Sequence, residues 1–103
     1  NNKIEDLPKD PLACDTLNRS FATHIAPIFD KNGCLNCHST QVATNGIILD
    51  DYAEVVKNTP LIIPSLTWPN SIPAGKKMPP GGPQIPRCEI DQFIAWVNQG
   101  QQP

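Results

Sequence analysis

Apolar residues first recur at helical spacing in residues 15–29. Four of them lie three or four positions apart: Leu17, Phe21, Ile25 and Ile28. This period predicts an α-helix with one buried face, and Asp15 or Thr16 can cap its start. Because proline lacks the N–H that the helical hydrogen-bond ladder uses, Pro27 predicts a kink or an early end in the last turns.

The clearest helical pattern lies near the end of the chain, in residues 87–99. Its apolar face carries four residues: Ile90, Phe93, Ile94 and Val97. Pro86 suits the start of this helix and Gly100 suits its end. Glu89 and Asp91 lie near its positive end, where acidic side chains are favoured. The pattern therefore predicts a helix over the whole segment.

The middle of the chain carries weaker patterns. Residues 50–58 predict a short helix with Asp50 as its cap, and three residues form its inner face: Tyr52, Val55 and Val56. Residues 59–86 hold eight prolines and show no helical period, which predicts a long loop that is either functional or disordered. No strand pair and no repeat is apparent. The expected fold class is all-α, with three or more short helices and a long proline-rich loop.

Composition narrows this picture. The chain has 103 residues, enough for one small domain, which we assign to residues 14–103 behind a lead-in or tether at residues 1–13. Small domains often depend on a disulfide, a metal or a cofactor. The net charge is −2 without a basic cluster, which argues against nucleic acid as a partner. We find no bilayer-spanning apolar run and no recognisable secretory signal.

The candidate chemistry is concentrated in one segment, "NGCLNCHSTQ", at residues 32–41. Cys34, Cys37 and His38 form a C-x-x-C-H motif, the attachment signature for c-type haem. In such a site both thiols form thioethers with the haem, and the histidine binds its iron. A thioredoxin-type dithiol would need an α/β context, and a zinc site would need further ligands at close spacing. Neither is apparent, so one haem c per chain is the expected cofactor.

Met78 is the candidate for the second axial ligand of the iron. It is the single methionine of the chain and lies in the proline-rich loop. A thioether ligand favours ferrous iron and raises the reduction potential. Pro79 and Pro80 restrict the backbone beside it, and the glycines that follow permit turns. Two alternatives stay open: Met78 as a gap-filling residue, and His24 as the sixth ligand.

The same loop is expected to lie across one face of the haem. Five apolar residues are candidates for packing against the porphyrin: Leu61, Ile62, Ile63, Leu66 and Ile72. Trp68 could donate its N–H to a haem propionate, or pack as a large apolar group. Tyr52 has the same two interpretations, so both are only candidate haem contacts.

Together these segments resemble the class I c-type cytochromes, and more closely a bacterial monohaem cytochrome c domain. The resemblance covers residues 16–100 and rests on "IAPIF", "CLNCHS", "GIILDDY", "MPPGG" and "IPRCEIDQFIAWVNQG". It implies that the first and last helices cross, that the haem lies beside them, and that a methionine loop covers its far face. It also implies contacts between two sets of residues: Phe21, Ile25 and Ile28 with Phe93, Ile94 and Trp96.

Two features depart from the family pattern, namely Pro27 and the cysteine pair Cys14 and Cys88. The helix crossing implied by the resemblance would bring the two cysteines together, so we expect a disulfide, with two buried free thiols as the alternative. Haem attachment of this type takes place outside the bacterial cytoplasm, where disulfides also form. The expected location is the bacterial periplasm or the outer face of the cytoplasmic membrane.

The motif and the resemblance imply electron transfer. With His38 and Met78 both bound, the iron has no open position for a substrate, so the expected role is a carrier of single electrons between a redox protein donor and acceptor, and not an enzyme. The alternatives are a haem enzyme or gas-sensing module with a labile sixth ligand, and the cytochrome domain of a larger oxidoreductase. We expect a monomer, and leave open a membrane tether through an N-terminal segment.

Overall fold

The computed structural model describes residues 14–103, so the lead-in assigned to residues 1–13 lies outside the described residues. Within residues 14–103 the regular secondary structure is helical, without any strand, in agreement with the all-α expectation. Three α-helices are present: α1 (Ala26–Lys31), α2 (Tyr52–Thr67) and α3 (Arg87–Asn98). A π-helical turn, Phe21–Ile25, leads directly into α1. Three 3-10 turns lie further along the chain: Cys34–Asn36, Thr44–Gly46 and Ala74–Lys76.

The first helical segment begins at Phe21, six residues later than its apolar spacing predicts. Ser20 is the N-cap, rather than either residue predicted to cap it, and its hydroxyl accepts a hydrogen bond from a backbone N–H of the first turn. Asn18 has a φ of 48°, a left-handed conformation that interrupts a right-handed helix. Leu17 therefore stays 71% exposed, and its predicted place in the buried stripe is wrong.

Pro27 does not end this helix, which continues to Lys31. The proline occupies one of the first two positions of α1, where its missing N–H costs little because those groups have no partner within the helix. The turn that precedes α1 is π-helical, with the Ala26 N–H bonded to the Phe21 carbonyl. The predicted kink is therefore a change of helix type rather than a stop.

The N-cap of α2 lies one residue after the predicted cap. Asp51 is the N-cap, and its carboxylate accepts a hydrogen bond from the Glu54 N–H at 3.1 Å. Asp50 instead accepts hydrogen bonds from the backbone N–H and the hydroxyl of Thr40. This pair ties the segment after the cysteine motif to the start of α2.

α2 also continues well past residue 58, to Thr67, and contains Pro60 and Pro64 in its interior. Its buried face recurs every three or four residues: Val55, Thr59, Ile62 and Leu66. An interior proline costs roughly 3 kcal/mol, and a buried aliphatic side chain contributes roughly 1.5–3 kcal/mol. Burial of this face therefore offsets most of the cost of the two prolines. The loop predicted over residues 59–86 is shortened to residues 68–86.

α3 matches its predicted segment, with Pro86 as N-cap and Gln99 as C-cap. Its core face packs on the first helical segment through aromatic rings. The Phe21 and Trp96 ring centroids lie 5.9 Å apart, and the Phe29 and Phe93 centroids also lie 5.9 Å apart. Ring pairs at such distances add about 0.5–1.5 kcal/mol each beyond the burial of their area. The helix contact that the resemblance implies is therefore present.

A disulfide joins Cys14 to Cys88, with 5.5 Å between their Cα atoms, which confirms the expected pairing. It spans 74 positions of sequence. By the loop-entropy description, a closure of this length removes on the order of 4 kcal/mol of freedom from the unfolded chain. The bridge therefore fixes the start of α3 to the segment that precedes the first helix.

The residues that follow α3 bond to the start of the first helical segment. The backbone N–H groups of Phe21 and Ala22 donate to the carbonyls of Gln102 and Pro103, at 2.8 and 2.9 Å. These N–H groups belong to the first turn of a helix, so they have no partner within it. In the part of the chain that the structure describes, no helix combines the length and apolarity needed to cross a bilayer.

Candidate cofactor site

A cavity of about 710 Å³ lies between the cysteine motif, the second half of α2 and the loop that carries Met78. We call it the main cavity, and we call this loop, residues 69–86, the methionine loop. Four of the predicted site residues line it: Cys34, Cys37, His38 and Met78. Pockets for small molecules and cofactors generally measure about 300–1,000 Å³ and have mostly apolar walls. The main cavity therefore has the size of a cofactor site.

The backbone of the motif makes a tight turn that brings both thiols to the main cavity. Gly33 has a φ of 75° and precedes the 3-10 turn Cys34–Asn36. The Cys37 and His38 N–H groups both donate to the Cys34 carbonyl, at 3.3 and 3.0 Å. Because the two residues between the cysteines complete one turn, Cys34 and Cys37 face the same space, and the histidine follows directly.

His38 is held in one orientation by backbone groups on both sides. The imidazole is 8% exposed, and its Nδ1 lies 3.2 Å from the Ile47 carbonyl oxygen. Since a carbonyl only accepts, this contact requires the proton on Nδ1, and in the neutral imidazole the lone pair then lies on Nε2. The His38 carbonyl in turn accepts a bond from the Leu49 N–H at 2.7 Å. Most histidines that ligate metals in proteins are oriented in the same way, by a hydrogen bond from the ring N–H that does not face the metal.

The two thiols of the motif lie in different surroundings. Burial raises the pKa of the Cys34 thiol above its ordinary value, and the negative charge of Glu89 raises it further, while a backbone hydrogen bond lowers it. Cys37 is exposed. Glu89 is itself buried, where it pairs with Lys31 and accepts a hydrogen bond from the Asn32 side chain at 2.8 Å.

Met78 is held at the main cavity by its backbone. Its N–H donates to the Ser65 carbonyl at 3.0 Å, and its carbonyl accepts from the Trp68 indole N–H at 3.2 Å. Both partners belong to the end of α2. The peptide bond between Met78 and Pro79 is cis.

The walls of the main cavity are largely apolar. Of the five residues predicted to pack there, Ile63 is not part of the lining, and four are: Leu61, Ile62, Leu66 and Ile72. Three apolar lining residues escaped the sequence prediction: Phe29, Ile47 and Leu49. The last two follow the motif closely, in the segment that also supplies the carbonyl partner of His38. A short apolar run directly after a cofactor motif is the signal that could have identified them.

The two candidate haem contacts, Trp68 and Tyr52, are not part of the described lining of the main cavity. The Trp68 N–H bonds the Met78 carbonyl instead. The Tyr52 hydroxyl donates to the Gln101 carbonyl, and the ring lies edge-on to Phe21. Each N–H or O–H that sequence reasoning offered to a propionate therefore has a protein partner.

His24, the alternative sixth ligand, lies away from His38. Its Nδ1 accepts a hydrogen bond from the Ser20 N–H at 2.8 Å. The side chain borders a separate cavity of about 240 Å³ beside the first helical segment, together with Arg19 and Gln92. The structure brings Met78, and not His24, to the cavity that His38 lines.

Among residues 14–103, no three or more His, Cys, Asp or Glu side chains are grouped so that they could hold a metal ion. Iron in a porphyrin takes most of its ligands from the ring and needs only axial ligands from the protein, so this observation does not bear on His38 and Met78. No family model, no curated protein and no solved structure matches this chain.

Proposed function

We propose that this chain is a c-type cytochrome domain of class I that carries single electrons. One haem c is bound through thioethers to Cys34 and Cys37, and its iron is ligated by His38 and Met78. The observation that carries the proposal is the convergence of these four residues on the main cavity. They come from two segments separated in sequence by the whole of α2.

The residues fit this group in their chemistry as well as in their position. The Ile47 carbonyl holds Nδ1 of His38 as the donor, so the neutral imidazole offers Nε2, and a neutral imidazole nitrogen is what haem iron binds. Cys34 and Cys37 are free of the disulfide. The apolar walls suit a porphyrin, and the proline-rich loop contributes the thioether sulfur that the second axial position requires.

When bound, the haem supplies the one-electron redox chemistry. The residues of the chain determine what that chemistry is used for. His38 and Met78 would both ligate the iron of a bound haem, which would leave no ligand position for a substrate. The hydrogen bonds on both residues hold them in place, which would favour electron transfer over ligand exchange.

The partners and the location follow from the same proposal. A carrier of this kind exchanges electrons with one protein donor and one protein acceptor, and we propose that it does so as a monomer. The Cys14–Cys88 disulfide suits an oxidising compartment. This supports a location in the bacterial periplasm or on the outer face of the cytoplasmic membrane.

The absorption spectrum of the ferric holoprotein tests the proposal. Ligation by Met78 predicts low-spin iron with a methionine–iron charge-transfer band, and no binding of carbon monoxide to the reduced protein. High-spin iron, or ready binding of carbon monoxide, would instead favour a haem enzyme or gas sensor with a labile sixth ligand. A colourless protein would contradict the proposal and would indicate a thiol protein that binds no haem.

A further inference from the structure

Trp68 ends α2 in a backbone conformation that bulky residues rarely adopt. It is the C-cap of the helix, with φ and ψ both at 56°. Glycine is the usual residue in this left-handed region, because a side chain there makes unfavourable contacts with the backbone. A tryptophan held in such a conformation indicates that its side chain has a role that outweighs the cost.

The indole of Trp68 makes its polar contacts with the methionine loop. Its N–H donates to the Met78 carbonyl at 3.2 Å, and the Lys77 ammonium lies 5.3 Å from the ring centroid. The Trp68 backbone N–H still makes the helical bond to the Pro64 carbonyl, and the left-handed conformation ends the helix directly after it, where the indole contacts the loop. The strained cap and the loop contacts therefore belong to one arrangement.

The contact from Trp68 complements a second hydrogen bond on the same residue. The Met78 N–H donates to the Ser65 carbonyl at 3.0 Å. Both backbone polar groups of Met78 are thus bonded to the end of α2, one to a main-chain carbonyl and one to the indole. Neither peptide group beside Met78 can turn without breaking one of these bonds, and the direction of its side chain depends on both.

We infer that Trp68 is a positioning residue for the methionine ligand. Its indole N–H fixes the Met78 carbonyl and thereby keeps the sulfur directed at the main cavity. This inference rests on the proposed function, since it assumes that Met78 is an iron ligand. It gives the indole N–H a different partner from the propionate that the sequence suggested.

Thioether ligands are exchanged more readily when the backbone that carries them is loose. Trp68→Phe keeps an aromatic ring beside Lys77 and removes the N–H donor, together with part of the ring volume, a loss that the control variant below shares. A single hydrogen bond of this kind changes an equilibrium by about 2- to 10-fold. In the ferric holoprotein, we therefore expect Trp68→Phe to raise the apparent affinity for added imidazole by about 2- to 10-fold, and to weaken the methionine–iron band.

Trp96→Phe is the matched control. Its indole N–H also donates to a backbone carbonyl, that of Gln102 at 2.8 Å, and its ring is fully buried. A general loss of stability would act in both variants, whereas a positioning role acts only in Trp68→Phe. We expect Trp96→Phe to lower the midpoint of unfolding while leaving the imidazole affinity and the charge-transfer band as in the wild type.

The outcomes separate the inference from the proposed function. An absent methionine–iron band in the wild-type protein would overturn both. An intact wild-type band, with equal imidazole affinity in Trp68→Phe and wild type, or with the same rise in both variants, would overturn only the role of Trp68. If Trp68→Phe does not fold, hydrogen exchange of the wild-type holoprotein decides. The Trp68 indole proton should exchange slowly, and exchange at the rate of a free indole would refute the inference.

Discussion

The two sides of this molecule are built by different means. On one side, the first helical segment and α3 meet through side chains, of which Ile25, Phe93 and Trp96 are at most 1% exposed. On the other side, the segments that line the main cavity contain 3-10 turns and prolines, and main-chain carbonyls accept hydrogen bonds from the candidate ligands His38 and Met78. The first side can stabilise itself by burial. The second presents an apolar surface that suits a bound group.

This difference separates the residues that make the fold from those that make the site. Core positions tolerate exchange for other apolar residues of similar volume. His38 and Met78 depend instead on hydrogen bonds to their surroundings. We therefore expect substitutions on the helical side to change stability with little effect on the haem spectrum. Substitutions around the main cavity should do the opposite.

The largest effect is expected from His38→Ala. It removes the nitrogen that we propose as the iron ligand, so a stable low-spin holoprotein should not form. His24→Ala is the control, because the His24 imidazole accepts a hydrogen bond from the Ser20 N–H on the helical side and does not line the main cavity. The yield of low-spin haem protein, measured by absorption, should fall to near zero in the first variant and stay near normal in the second. Normal yield from His38→Ala would contradict its role as the proximal ligand.

Met78→Ala should have the next largest effect. Loss of the thioether should lower the reduction potential by on the order of 0.1 V or more, within the roughly 0.8 V over which axial ligands set haem potentials. It should also open a position that binds carbon monoxide. Potentiometric titration and a carbon monoxide difference spectrum measure these changes. Unchanged potential and unchanged ligation would show that Met78 is not an iron ligand.

How far the sequence predicts the structure differs between the two sides. α3 could be predicted because its core positions, Ile90 and Phe93 among them, follow the helical period without interruption. The predicted second helix is too short because Pro60 and Pro64 are typical of a loop, although the buried residues around them keep the helical spacing. The predicted first helix begins too early because the spacing of Leu17 from Phe21 does not reveal the left-handed conformation of Asn18.

The site shows a similar division. The sequence alone is enough to select Cys34, Cys37 and His38 as candidates, because the motif consists of the side chains themselves. The Ile47 carbonyl that orients His38 could not, because every residue has a carbonyl and nothing in the side chain indicates its use. The same holds for the bond from Trp68 to the Met78 carbonyl, which depends on the left-handed cap of α2.

A smaller and more selective effect is expected on the helical side from removal of the disulfide. Replacing Cys14 and Cys88 together by serine should lower the free energy of unfolding by about 2–5 kcal/mol, because the unfolded chain regains the freedom that the bridge removes. Denaturant titration measures the loss. The reduction potential and the charge-transfer band should stay unchanged. A shifted spectrum in a still-folded double variant would show that the two sides are not independent.

The smallest effect concerns the thiols in the chain before haem attachment. Because the pKa of Cys34 is raised, mainly by burial, less of it is thiolate at neutral pH, and thiolate is the reactive form. Iodoacetamide should therefore modify the exposed Cys37 first, and the Cys34 rate should keep rising with pH beyond 9.0, the ordinary value. Faster reaction of Cys34 at neutral pH would contradict this environment.

Glu89→Gln sharpens the same measurement. Burial is the largest cause of the raised pKa of Cys34, and the Glu89 carboxylate is a smaller one. Removing this charge should therefore speed the Cys34 reaction by less than about tenfold, the factor for one pKa unit. Asp91→Asn, on the same helix but partly exposed and paired with Arg87, is the control and should leave the rate unchanged. Equal rates in Glu89→Gln and the wild type would remove Glu89 from the causes of the shift.

The central claim is that haem is attached covalently at Cys34 and Cys37 and ligated axially at the main cavity. The most direct test expresses the chain in a bacterial host that matures c-type cytochromes, and then measures the mass of the purified protein and its pyridine haemochrome spectrum. The account predicts one haem per chain, retained after denaturation, with neither motif thiol free to react. A colourless product, or haem that separates on denaturation while both thiols remain reactive, would contradict it.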